Sequence, residues 1–207
     1  MSPHPPILPE LTWLGQPGNA TITDDHVTLP AGPETDWFND PDATTRLATA
    51  PVLRFTVSED CQVSAKVTVD FGATFDAGVL FVHQGDEDYA KLCFERSPLG
   101  DNTMVSVVTR GVSDDANGPI IEGNVVWARV SVYRDVVAFD WSSTGHRWHL
   151  LRFFALRPPV RDVPQRSATS TTRPAHRSTF ATGPKAGLHF RPTHLIDRHE
   201  DRRRPVT

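Results

Sequence analysis

Between residues 61 and 70 the chain alternates without a break. Cys61, Val63, Ala65, Val67 and Val69 fall on one side, and Gln62, Ser64, Lys66, Thr68 and Asp70 on the other. Successive side chains of an extended strand point to opposite faces, so this period of two predicts a strand with one face in a core and one in water. β-Branched and aromatic runs recur at 52–57, 77–83, 89–95, 104–110, 125–133, 136–141 and 148–154, the composition of further strands. Turn-forming clusters separate them at 71–74, 84–88, 97–102, 111–118, Arg134-Asp135 and Thr144-Gly145. No stretch is a convincing amphipathic helix. Many strands joined by short turns predict an all-β fold, a two-sheet antiparallel sandwich over residues 11–161 behind a flexible segment 1–10. At 207 residues the chain can bury a substantial core without disulfides.

Register sharpens the picture. A hairpin closed by Gln84 to Asp88, with His83 opposite Tyr89, sets Val82, Leu80 and Gly78 against Ala90, Leu92 and Phe94 on one wholly apolar face. The loop around Pro98 and Gly100 then predicts Phe94 opposite Val105, Leu92 opposite Val107 and Ala90 opposite Thr109. The opposite face of the three strands carries Phe81, His83, Tyr89, Lys91, Cys93, Glu95, Ser106 and Arg110. A face that merely met water would hold more Ser, Thr and Lys and fewer aromatics, so this face is the candidate binding groove.

Charge divides the chain. Residues 1–155 hold 10 Lys and Arg against 21 Asp and Glu, a net of −11, whereas residues 156–207 hold 11 against 4, a net of +7. So acidic a body lacks the clustered cations that neutralise phosphates, which excludes nucleic-acid binding through it. The basic stretch 162–207, rich in Pro, Arg and Thr, sustains no period of two or 3.6 and reads as a disordered tail. Phe180, Leu188, Phe190, Leu195 and Ile196 are its sizeable apolar residues, and Pro184 and Pro192 interrupt them. No run of eighteen apolar residues spans a membrane. The first ten residues carry no secretory pattern, so the expected location is cytoplasmic. Cys61 and Cys93 lie in apolar surroundings, too far apart for a CxxC pair, and read as free thiols.

The motifs that carry chemistry are mostly absent. No G-x-S-x-G, P-loop, G-x-G-x-x-G or H-E-x-x-H occurs, so no cofactor is expected. Asp86, Glu87 and Asp88 read as a solvated hairpin tip, without the spaced oxygens and glycine of a calcium loop. The Asp114 to Gly118 segment lacks the closing Glu of such a loop. His146 and His149 fall on opposite faces of a strand and do not chelate together, so no metal is expected. Trp127 and Trp148 read as packing over a sheet, and Trp37, among polar and turn-forming neighbours, as the tryptophan free to stack on a ring.

Four segments together resemble the regulation-of-enolase-protein family: Gly32 to Pro41, Ala77 to Val82 with Asp86 to Leu92, Val107 to Asp114, and Trp141 to Trp148. The resemblance covers residues 11–156 and implies a concanavalin A-like, lectin/glucanase-type jelly roll. It implies no reaction, since the family is a domain of unknown function without established catalytic residues. Two departures stand out. Thr144 replaces an Asp often found before the hairpin Gly, and the basic tail after Arg161 is expected to stand in place of the family's closing strands, as a shifted reading frame or an unselected extension would do.

Glu34-Thr35-Asp36-Trp37-Phe38-Asn39 is similar to the E-x-D-x-x-E strand of sandwich-fold glucanases, but Asn39 stands where the acid/base carboxylate belongs. An amide cannot protonate a leaving oxygen, so paired-carboxylate chemistry fails there. The reading is therefore a non-catalytic binding module for a glycan or other small polyhydroxylated ligand, through His83, Tyr89, Lys91, Glu95, Ser106, Arg110, Asp36 and Trp37. The alternatives are an intracellular regulatory or protein-interaction domain, which takes a protein partner, and a carbohydrate hydrolase that uses Glu95.

Overall fold

The computed structural model describes residues 11–23, 26–42, 44–56, 60–156, 177–182 and 186–191. The expected flexible segment 1–10, the boundary at 157–161 and the remainder of the tail lie outside these residues. Among the described residues the chain is all-β, and every strand pairing is antiparallel.

Five short strands come first: β1 (Thr12–Leu14), β2 (Thr21–Ile22), β3 (His26–Leu29), β4 (Trp37–Asn39) and β5 (Arg46–Ala48). The body follows with β6 (Val52–Thr56), β7 (Cys61–Val69), β8 (Ala77–Gly85), β9 (Asp88–Arg96), β10 (Asn102–Arg110), β11 (Val112–Ile120), β12 (Val125–Tyr133), β13 (Val136–Ser142) and β14 (His149–Ala155). Two strands close the chain, β15 (Arg177–Thr182) and β16 (Ala186–Arg191). The first sheet runs β1-β6-β15-β8-β9-β10-β11, the second runs β14-β13-β12-β7-β16-β3-β2, and β4-β5 forms a separate hairpin.

The expected sandwich is present. Ala65, Val67 and Val69 of β7, with Val126, Ala128, Val130 and Val132 of β12, face Leu80, Val82, Ala90, Leu92, Phe94, Met104 and Val108 of the first sheet. At one side of the sandwich Gly118 on β11 lets the sheets close: a Cβ there would stand 2.4 Å from Leu151 Cδ1 and 2.9 Å from the Met104 carbonyl.

Two expectations are overturned. Residues 111–118 form most of an edge strand, not a turn, because pairing with β10 supplies the order that Asp114, Asp115 and Pro119 do not. An edge strand tolerates proline and charge that a central one excludes. The expected disordered tail needs correction at residues 177–182 and 186–191, the part of it that the structure describes. β15 pairs on both sides, with β6 and β8, and β16 pairs on both sides, with β7 and β3. Pro184 falls in the three residues between these strands and Pro192 directly after the second, so neither takes a ladder position. Residues 177–182 and 186–191 are thus interior strands of the two sheets.

A chain ended at residue 176 should consequently lose its cooperative unfolding transition, because β6, β8, β7 and β3 would each keep an unpaired edge in mid-sheet. A melting curve for the truncated chain that matches the full chain would refute this.

Candidate functional site

The outer face of the first sheet is built from alternate residues of four strands. The β8-β9 register is the expected one, with His83 opposite Tyr89 and Leu80 opposite Leu92. The β9-β10 register is not. Phe94 pairs with Met104, Leu92 with Ser106 and Ala90 with Val108, one residue away from expectation. Because β10 is apolar on both faces, with Met104 and Val108 on one and Val105 and Val107 on the other, its hydrophobic pattern does not select a register. The slip moves Ser106 and Arg110 off the candidate face.

Both residues instead face the second sheet. Arg110 donates from Nε to the Leu156 carbonyl at 3.1 Å and from Nη2 to the Ala155 carbonyl. Ser106 is buried beside Arg152, whose Nη1 lies 3.4 Å from both its carbonyl and its hydroxyl oxygen. Arg152 also donates from Nη2 to Asp114 Oδ2 at 2.7 Å, so these two arginines tie β14 to the first sheet.

Across the outer face the register aligns Phe81, Lys91, Val107 and Asp115 in one row, and His83, Tyr89, Thr109 and Ser113 in the next. The β4-β5 hairpin covers the second row. Trp37 is buried, its ring 5.4 Å from Phe81 and 5.8 Å from both His83 and Tyr89, and its Nε1 donates to the Ala50 carbonyl at 2.9 Å. Asn39 donates from Nδ2 to the Gly111 carbonyl and accepts nothing catalytic, while its backbone N–H donates to Ser113 Oγ. Trp37, Phe81, Tyr89, Cys93, Val105 and Val107 make a second apolar cluster outside the sandwich core.

Trp37, Tyr89 and His83 are accordingly buried in the face. The Tyr89 hydroxyl has no hydrogen-bond partner among the described residues. Glu34, the first carboxylate of the glucanase-like run, is exposed in the preceding turn at φ 58°. That run is not a strand of either main sheet.

The remaining candidates come together around Lys91. Its ammonium is buried and donates to Asp36 Oδ1 at 2.7 Å, and it stands 5.7 Å from the Phe38 ring centroid. Burial alone lowers this ammonium, but Cys93, then Asp36 and Glu95, outweigh burial and hold it above its ordinary value. Glu95, half-buried, is pushed up from 4.5 to about 7, first by desolvation, with Lys91 opposing and Asp115 and Asp36 adding to the rise. Asp115 is raised first by desolvation, with Lys91 and a backbone hydrogen bond from Ala116 opposing and Asp36 and Asp114 adding to the rise. Burial holds the Cys93 thiol well above its usual range, so it is unreactive.

Asp115 and Phe38 belong to this constellation and were not among the expected site residues. The alternation Ser113, Asp115, Asn117 within an apparent turn is the signal that could have found Asp115. Among the described residues no group of three or more His, Cys, Asp and Glu side chains is placed to hold a metal ion.

Arg110→Ala should therefore cost about 1–2 kcal/mol of stability in a urea titration, the scale of a charged hydrogen bond, and leave ligand binding unchanged. Impaired binding at full stability would return Arg110 to the site. Glu95 gives a second test. Between pH 4.5 and about 7 the folded chain retains a proton that the unfolded chain has released, so this stabilisation is complete at low pH and is lost as pH rises through 7. Glu95→Gln should remove the dependence and stabilise the chain at pH 8 by up to ~3 kcal/mol, with no difference from the parent near pH 4. Parallel pH profiles for the two proteins would refute it.

The comparisons agree with the architecture. A functionally unknown protein from Saccharomyces cerevisiae superposes with a TM-score of 0.71 at 21% identity, over 86% of this chain and 92% of that one. A xylan β-1,4-xylosidase from Bacillus halodurans superposes at 0.59 and 14% identity, over 80% of this chain but 32% of the xylosidase. The GH43 BlXynB protein from Bacillus licheniformis superposes at 0.52 and 18% identity, over 80% of this chain and 31% of that one. At these identities the likeness is one of fold alone. Among curated proteins none matches the chain. The model of a family described as protein of unknown function, DUF1349, matches residues 13–170, and the chain belongs to that family.

Proposed function

We propose that the chain is a non-catalytic binding module that takes a glycan or another small polyhydroxylated ligand on the outer face of the first sheet, along Asp36, Lys91, Glu95 and Asp115. Glu95 carries the reading. It is a half-buried carboxyl beside a buried ammonium, and it has neither a hydrogen bond nor an ion pair with any described residue. A fold gains nothing from a desolvated carboxyl without a partner, and such groups concentrate where ligands bind. Ligand hydroxyls would donate to Glu95 and Asp115 and accept from Lys91, while Phe38, half-buried at the rim of the hairpin, offers the apolar surface against which a sugar ring lies. The fold shared with a xylosidase supports a carbohydrate ligand by analogy only.

A protein-interaction role is the second reading, and one feature favours it. Tyr133, Leu150 and Phe153 are exposed on the outer face of the second sheet beside its β14 edge, and an open edge with apolar neighbours suits a protein partner. The resemblance to the regulation-of-enolase-protein family agrees with such a role.

The full chain applied to a glycan array should give reproducible hits that Lys91→Met weakens at least tenfold. An array without hits, together with co-purification of one stoichiometric protein, would favour the second reading. Turnover of an aryl glycoside that disappears in Glu95→Gln would make the protein a hydrolase, with Glu95 as the general acid.

A further inference from the structure

The proposed strip is unbalanced in charge. Lys91 is its one described cation, and that ammonium is already committed to Asp36 at 2.7 Å. Glu95 and Asp115 remain on the same face with no ion-pair partner among the described residues. The elements packed around them do not redress this. On that face β10 contributes Thr103, Val105, Val107 and Thr109, β8 contributes Ala77, Val79, Phe81 and His83, and β9 adds Cys93. Arg54 of β6 is three strands from Lys91 in the same row, and Arg46 of the hairpin is paired with Glu87. Asp114, the neighbour of Asp115, pairs with Arg152 on the other face. The hydroxyl of Tyr89, two residues from Lys91 on the same face and fully buried, has no hydrogen-bond partner among the described residues.

Resting on the binding reading above, we propose that the ligand of this face is a glycan bearing a cationic substituent, an amino sugar, whose positive charge meets Glu95 and Asp115. A neutral sugar would leave two partly desolvated carboxylates without a counter-charge, and an acidic one would add a third negative group to a low-dielectric strip. An ammonium supplies the charge, while hydroxyls of the same sugar keep the hydrogen bonds to Lys91 and the carboxylates. A partner-free metal ion is the competing cation, and the donors of this strip are too dispersed to cage one.

The test uses the full chain on an array in which each oligosaccharide backbone is present in neutral, trimethylammonium-substituted and uronate forms, at pH 5.5 and pH 8.5. The fixed charge of the trimethylammonium group keeps the ligand from titrating. The cationic form should bind at least tenfold more tightly than its neutral counterpart at pH 8.5, and the uronate form more weakly than either. The ratio should shrink at pH 5.5, because Glu95, held at about 7, is then protonated. Glu95→Gln should lower the cationic-to-neutral ratio severalfold at pH 8.5 and remove most of its dependence on pH, leaving the weaker preference that Asp115 supplies. Asp70→Asn, which removes the same charge from an exposed position at the end of β7, should leave the ratio intact. Equal binding of neutral and cationic forms, or an equal loss in Asp70→Asn, would overturn the inference and leave the binding module standing. No binding of any form would remove the module reading and the inference together.

Discussion

Each sheet is held in one piece by a strand from the last fifth of the chain. β15 fills the gap between β6 and β8, and β16 fills the gap between β7 and β3. Backbone N–H and C=O groups must be paired wherever water is excluded, so an interior strand satisfies both of its neighbours at once. Without it the first sheet would divide into β1-β6 and β8-β9-β10-β11, and the second into β14-β13-β12-β7 and β3-β2. Among the described residues, the backbone pairing that joins the amino-terminal strands to the rest of each sheet runs through residues some 120 to 165 positions later in the chain. Long-range pairing of this kind closes late and at high entropic cost, which favours slow folding.

The first sheet is unusual in being apolar on both faces. Its inner face meets the second sheet, and its outer face carries the cluster around Trp37, Phe81 and Tyr89. The β4-β5 hairpin exists to cover that second face. It pairs with neither sheet and is fastened instead by the Trp37 ring, by Asn39 to Gly111 and Ser113, by Arg46 to Glu87 and by Lys91 to Asp36. Of these the Lys91 pair is the most consequential. A buried ammonium deprived of its carboxylate is penalised by several kcal/mol, so the hairpin and the charge of the strip depend on each other.

That coupling defines which part of the outer face stays uncovered. The hairpin occupies the aromatic half of the outer face and leaves Glu95 and Asp115 toward the rim. Arg110 and Arg152 hold the sandwich shut on the β14 side and belong to its architecture. The second sheet's outer face is chemically different. Trp127 there lies under Gly145, at φ 77° and so close that a Cβ would stand 2.8 Å from the indole, while the Arg129 guanidinium lies 4.2 Å from the Trp148 ring centroid. Both tryptophans pack within the protein, as their positions beside a strand and a hairpin tip imply.

The residues by themselves determined the sandwich. The alternation through β7, the hairpin of β8 and β9, and the polar-aromatic face with Lys91 and Glu95 follow from period and turn chemistry, which are local properties of the chain, whereas Asp36 reaches Lys91 only because the β4-β5 hairpin docks on that face. Three things were decided only by tertiary structure. β10 can present either face to the core, so its partner strands chose the register and sent Ser106 and Arg110 inward. β11 reads as a turn until an edge position pairs it. β15 and β16 are short, basic and bordered by proline, and they become interior strands because the sheets leave two gaps of the right width for them. Backbone pairing is available to almost any sequence, and here the unpaired edges of distant strands, rather than the composition of the segment, selected which residues closed the fold.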